Sequence, residues 1–416
     1  MCALWLPLAI SFELMLLEGP TVQAAMGRLP DPKLNLAAWG LTISLSLLIE
    51  SPVFMLLATA IALVHDSDSY RALRRFMLNI AVGCTLLTAA IAFTPLFDIV
   101  AGRLMGQPSP IVEASRPALQ IMLLWSAAIA WRRFYQGIMV HFGQTRLVSW
   151  GTAIRLIVTI AIAASFATSH HLPGVQVGAI SLMAGVISEA LATTFFAWPT
   201  VRKELGKVLS TPLPLSQHAI WRFHAPLAAT TLLTLLAQPI TAAALARLPE
   251  QIATLAVWPV VSMLLLVMRG WGLALQEITV SQAKNPATRP ALKRFTWMVG
   301  LATTGATALI AFTPLLDLYM GQVLHLPPEL YGYAHIGVGV GMLLPLISSL
   351  SSWAGGLLVA SGQTHHRYRG MAINLGTHAG LLGLGVLFQL PGMWVAAIAF
   401  TVAAIAEYIY LARMVR

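Results

Sequence analysis

Long apolar stretches separated by short polar punctuation run the length of the chain. Leu34 to Val64 and Leu73 to Phe93 are two of them, and neither alternates polar with apolar positions. Both exceed the roughly 20 residues that carry a helix across a bilayer core. Lipid offers no partner to a backbone N–H or C=O, so a spanning chain is helical or forms a closed barrel. Barrel strands alternate between lumen and lipid, and these continuous runs do not. The pattern predicts twelve helices, at 4–27, 34–64, 73–97, 115–142, 146–168, 174–198, 220–246, 252–282, 292–314, 331–361, 367–388 and 392–413. The first lacks the basic flank of a signal peptide.

A shift of 219 residues lays the second half of the chain on the first. Pro7-Leu8-Ala9 falls on Pro226-Leu227-Ala228, and Arg28-Leu29-Pro30 on Arg247-Leu248-Pro249. Pro20 meets Pro239, and Trp39 meets Trp258. Ile91-Ala92-Phe93-Thr94-Pro95-Leu96 recurs as Ile310-Ala311-Phe312-Thr313-Pro314-Leu315, and Gly143-Gln144-Thr145 as Gly362-Gln363-Thr364. After a one-residue slip, Pro173-Gly174 meets Pro391-Gly392 and Glu189 meets Glu407. One register held over six spans defines two homologous lobes, 1–200 and 220–416, joined by a linker at 201–219. An even number of spans per lobe gives both lobes the same topology, related by an axis along the membrane normal. The interface between them is the natural path for a solute.

Composition agrees with a lipid environment: 58% of residues are hydrophobic, 10% are charged, and mean hydropathy is +0.78. The formal net charge of +10 belongs to loops, not to a basic soluble patch, so no nucleic-acid partner is expected. Sixteen basic residues, Arg74, Arg75, Arg202, Lys203, Lys293, Arg294 and Arg413 among them, fall on the side of the termini, against five, Arg28, Lys33, Arg103, Arg116 and Arg247, on the other. That bias places both termini in the cytoplasm, as for a multi-pass protein of a bacterial inner membrane. Cys2 and Cys84 have no disulfide or metal spacing. No P-loop is present, and no cofactor is expected beyond a proton or sodium ion for coupling.

Ionisable side chains at bilayer depth cost roughly 2.5–3.5 kcal/mol each and mark a pathway or a pair. The candidates are Glu18, Glu50, Arg132, Arg133, Arg155, Arg269 and Glu277, with Glu13, Glu189 and Glu407 beside them. Glu50 and Arg269 occupy equivalent positions, so they are expected to pair across the interface in one state, or else to form a static bridge. Glu18 precedes Pro20, which kinks its helix and leaves the Leu16 carbonyl without a donor; Pro239 is the matching kink. A carboxylate at such a bend suits a cation or a proton. Its counterpart Ala237 is neutral, which assigns the acid to one lobe. Arg132, Arg133 and Arg155 make the first lobe's interior basic, as a carboxylate or phosphate substrate would require, unless they pair with Glu13, Glu18 or Glu189. Glu189 and Glu407 recur in both lobes and read as architecture. Glu277 matches Ala58 and is specific to its lobe.

Two six-helix lobes, a proline in the first helix of each, and lobe ends of the form Pro391-Gly392…Glu407 resemble the multidrug/oligosaccharidyl-lipid/polysaccharide (MOP) exporter superfamily. Span count and length are similar to its multidrug and toxin extrusion (MATE) branch. Gly270-Trp271…Glu277…Asn285-Pro286 is similar to a stretch of its progressive ankylosis branch of organic-anion exporters. The resemblance implies an alternating-access secondary transporter of a small organic solute, with an organic anion or a cationic drug as substrate. In the MATE branch, acidic residues of the first lobe couple transport to ions. A lipid-linked oligosaccharide flippase with fourteen spans is the further alternative. A membrane enzyme is disfavoured, because the intramembrane polar residues are dispersed along the sequence.

Overall fold

The computed structural model describes residues 2–169, 171–205, 215–282, 288–363 and 365–415, and among them contains helices and no strand. Ten segments are long and apolar enough to cross a bilayer: Pro32–Leu63, Ser67–Phe93, Thr145–Thr168, Gly174–Glu204, Gln217–Leu245, Gln251–Val280, Arg289–Phe312, Pro328–Ala360, His365–Leu387 and Gly392–Met414. Two interrupted rods complete the twelve. The first span is Cys2–Leu16 followed by Glu18–Gly27. The fourth is Ser109–Ile121, a 3-10 turn, and Trp125–His141. The chain is an integral multi-pass membrane protein. The sixth span runs on to Glu204 and the seventh begins at Gln217, so the expected linker shortens; residues 206–214 within it lie outside the described residues.

The 219-residue repeat is written into the backbone. The first span breaks at Leu17 and the seventh at Leu236, its equivalent, each three residues before Pro20 or Pro239. Thr21 N–H bonds the Leu17 carbonyl, and Ile240 N–H the Leu236 carbonyl, both at 3.2 Å. Left-handed residues recur in register: Asp31 with Glu250, Gly106 with His325, and Gly143 with Gly362. At the last pair the chain reverses after a helix, a conformation glycine adopts without a Cβ clash. Gln144 N–H bonds the Met139 carbonyl at 2.7 Å, and Gln363 N–H the Leu358 carbonyl at 2.8 Å. The expected turns at Gly143-Gln144 and Gly362-Gln363 are therefore present; Thr364 lies outside the described residues.

Spans one and two pack on spans seven and eight across the lobe interface, with the second and eighth spans against each other. Gly40 and Pro259 are twofold equivalents and touch: a Cβ on Gly40 would lie 2.6 Å from Pro259 Cγ. The pseudo-twofold axis passes between them.

The interface is closed at both ends. At the end bearing the termini, Trp5 Nε1 donates to the Trp271 carbonyl at 3.1 Å, and His224 Nε2 lies 2.7 Å from the Pro52 carbonyl. Trp5 is equivalent to His224, and Trp271 to Pro52, so these are one contact made twice. The rings that flank them obey the same symmetry: Trp5 meets Phe295 edge-on at 5.5 Å, and His224 meets Phe76 at 5.2 Å. At the opposite end Arg247 donates to the carbonyls of Leu104 at 2.6 Å and Met105 at 2.8 Å. Gln107 Nε2 donates to the Ala242 carbonyl at 2.9 Å, and Lys33 pairs with Glu329. Gly27 packs against the Leu324 carbonyl with no room for a Cβ.

Candidate functional site

The first lobe gathers Glu18, Arg132, Arg155 and Glu189 into one network. Glu18 sits one residue past the break in the first span. Arg155, on the fifth span, grips both its oxygens, with Nε to Oε1 at 2.9 Å and Nη2 to Oε2. Thr159 Oγ1, one turn further along, donates to Oε1 at 2.8 Å. Gly185 on the sixth span makes this possible, because any Cβ there would collide with the Thr159 hydroxyl. Arg155 Nη1 also lies 3.6 Å from Glu189, which is fully buried. Glu189 accepts from Arg132 at 2.8 Å, Gln136 at 3.0 Å and Thr152 at 3.3 Å. A cavity of about 10 Å³, bounded by Leu14, Met15, Glu18, Thr152, Arg155 and Leu156, adjoins the Glu18–Arg155 pair. That is near the smallest space that admits a water molecule.

Glu50 is buried on the second span and accepts a hydrogen bond from Trp125 Nε1 at 2.5 Å. Arg133 turns away from Glu189 and lies 4.7 Å over the Phe54 ring. Arg132 and Arg133 thus diverge as successive helical positions must. The expectation of a basic interior is corrected here. Glu18, Glu50 and Glu189 stand against Arg132, Arg133 and Arg155, so carboxylates balance guanidiniums. The expected dispersal of polar groups is corrected too: spans distant in sequence converge.

Glu50 and Arg269 do not pair. Arg269 stays within its own lobe, its Nε donating to Ser348 Oγ at 2.6 Å and its guanidinium 5.1 Å over Phe400. The reason is the place of the axis. Equivalent residues meet at Gly40 and Pro259, and ten residues further along, the helix has turned by roughly 80° from that contact face. Glu50 and Arg269 each point into their own lobes.

Glu277 lies exposed in the first turn of the short helix Leu275–Gln282, away from the network. Asn285-Pro286 falls outside the described residues. Glu407 accepts from Asn374 at 2.9 Å and lies 3.6 Å from Arg367. Arg367 crosses Gly355, the counterpart of Gln136. Each repeated glutamate is thus tied within its lobe, by different partners. Glu13 is buried against Gly270 of the other lobe, with the Trp271 backbone N–H beside its carboxylate. Gln136, Thr152, Thr159 and Trp125 were not singled out from the sequence. Gln136 lies four residues from Arg132, and Thr152 and Thr159 lie three and four from Arg155; that helical spacing is the signal that could have found the first three.

No protein-family profile matches the chain, and no curated protein does. Solved structures do. The chain is similar to an inward-facing MATE multidrug resistance transporter of the MOP superfamily at 15% identity and TM-score 0.62, covering 98% of this chain and 94% of that one. A MOP superfamily transporter from Pyrococcus furiosus, whose binding pocket is described as of reversed polarity, matches at 15% identity and TM-score 0.68, over 99% and 95%. The lipid II flippase MurJ in an inward closed conformation matches at 11% identity and TM-score 0.73, over 99% and 87%. The chain has the fold of MOP superfamily transporters, along its whole length.

Proposed function

We propose that this protein is a secondary active transporter that moves a small organic solute by rocking its two lobes about the Gly40–Pro259 axis. The observation that carries the reading is the duplicated latch. Trp5 on Trp271 and His224 on Pro52 close one end of the interface, and a separate set of contacts closes the other. Two independently closed ends are what alternating access requires, and the fold shared with MATE transporters and MurJ supports it. Both termini are cytoplasmic in this reading, in a bacterial inner membrane.

Coupling falls to Glu18. Ionised, it holds Arg155 through a two-pronged bridge. A proton on Glu18 removes that charge, and Arg155 then has Glu189 as its alternative partner. Because Glu18 adjoins the break in the first span, the exchange acts on the helix that bears Trp5. Sodium could replace the proton at the same carboxylate. A MATE-type exchange of cationic compounds and a lipid-linked substrate are the alternatives.

The test is flux in proteoliposomes carrying a proton or a sodium gradient. Candidate solutes are a small organic anion, an organic cation and a long-chain lipid phosphate. Wild type is expected to move one class against its gradient when the driving ion flows. Glu18→Gln is expected to abolish accumulation and leave exchange at equal ion concentrations within about threefold, since only the driving step needs the ionisable group. Gradient-driven accumulation that survives Glu18→Gln removes Glu18 from the coupling site. No flux of any class by folded protein rejects the transporter reading.

A further inference from the structure

The second lobe holds a cation that no carboxylate touches among the described residues: none lies within 4.0 Å of Arg269. Glu407 is engaged by Asn374 and Arg367, and Glu13, packed on the neighbouring Gly270, does not reach the guanidinium. Arg269 uses only Nε, on Ser348, so both Nη groups are free of hydrogen bonds to described residues. Ser348 is 5% exposed and accepts that bond, and its own O–H has no acceptor among the described residues. Trp258, 5% exposed, meets the Phe400 ring edge-on at 6.0 Å. Guanidinium and hydroxyl, side by side, are both donors. Buried donors are normally satisfied, and an unpaired intramembrane arginine is costly. A ligand that supplies only acceptors and negative charge removes both penalties.

We infer that Arg269 and Ser348 bind the oxyanion head, carboxylate or phosphate, of the transported solute, with Phe400 and Trp258 as the apolar wall. This rests on the transporter reading and names the substrate class. The terminal edge of the guanidinium takes two oxygens in parallel, and Ser348 adds a donor beside it. The first lobe, where carboxylates balance the guanidiniums, is left for coupling.

The test is binding to full-length protein in nanodiscs of phosphatidylcholine, by calorimetry with phenyl phosphate and with dodecyl phosphate. Arg269→Gln is expected to weaken binding about 10- to 100-fold, as for a lost charge-assisted pair. Arg269→Lys keeps the charge but loses the fork and should fall between. Ser348→Ala should cost about 3- to 10-fold. Arg103→Gln, an exposed residue at the opposite end, removes one charge as a control and should change nothing. If Arg269→Gln does not fold, the other two variants carry the test. Dependence on Arg269 with both probes supports a soluble organic anion, and with dodecyl phosphate alone a lipid-borne phosphate; either result supports the site. Affinities that match the Arg103→Gln control in every variant overturn it. Ion-driven flux with no binding that depends on Arg269 rejects this site and leaves the transporter standing. Such binding without flux does the reverse.

Discussion

Arg155→Leu is expected to destabilise the protein by about 3–5 kcal/mol, the range for removing one partner of a buried ion pair. The side chains of Arg155 and Glu18 are 12% and 8% exposed, so little solvent is at hand to compensate the survivor. The substitution strands Glu18, which keeps only the Thr159 hydroxyl, and withdraws a second cation from Glu189. Glu189 itself should stay in place, because Arg132, Gln136 and Thr152 remain. Adding Glu18→Leu should therefore restore most of the loss, since the pair then vanishes as a unit and an apolar pair of similar volume takes its place. The measurement is reversible unfolding of the two single variants and the double variant in mild detergent, read as a double-mutant cycle. A double variant as unstable as the sum of the singles would mean that the two side chains stabilise the lobe independently. The flux consequence is separable: the double variant should fold and fail to accumulate solute.

The repeat explains why some of this was legible in the sequence. A shift of one fixed length placed Leu17 on Leu236 and Gly143 on Gly362, and the backbone obeys it to the residue. Apolar runs gave twelve spans because lipid forces helices, even where hydropathy fails: the fourth span carries Glu113, Arg116, Arg132 and Arg133 and still crosses. The pairing of charges was harder. Equivalence under a twofold says that Glu50 and Arg269 are the same distance from the axis, not that they are near it. Gly40 and Pro259 mark the axis, and a glycine facing a proline bears no electrostatic sign to read. The partners of Glu18 and Glu189 come from the fourth and fifth spans, and small residues such as Gly185 of the sixth span set how the fifth packs. Sequence spacing does not encode that packing. The same substitution pattern, Arg132 and Gln136 replaced by Ser351 and Gly355, does show that the second lobe solves its glutamate differently. Arg367, from another span, fills the space.

Gly27→Val is expected to prevent closure of the end opposite the termini and to abolish transport. Gly27 lies at the end of the first span, where any Cβ would collide with the carbonyl oxygen of Leu324. The obstacle is backbone at the end of a helical turn held by the Leu324 N–H bond to the Tyr319 carbonyl, so no side chain can swing aside. Overpacking of this kind costs about 1–3 kcal/mol or more, and here the cost falls only on the state in which the lobes meet. A bias of that size shifts the ratio of open to closed forms by about 5- to 150-fold. Accessibility reports it: a cysteine at Ala242, 8% exposed at this interface, should react with a membrane-impermeant maleimide correspondingly faster when Gly27→Val is present, with Cys2 and Cys84 replaced. The latch at the other end is made by different residues, Trp5 on Trp271 and His224 on Pro52, and should remain shut. Unchanged labelling with normal flux would mean that the first span moves as a rigid unit away from Leu324 in every state, and that the closure seen at Arg247, Gln107 and Lys33 is enough without it.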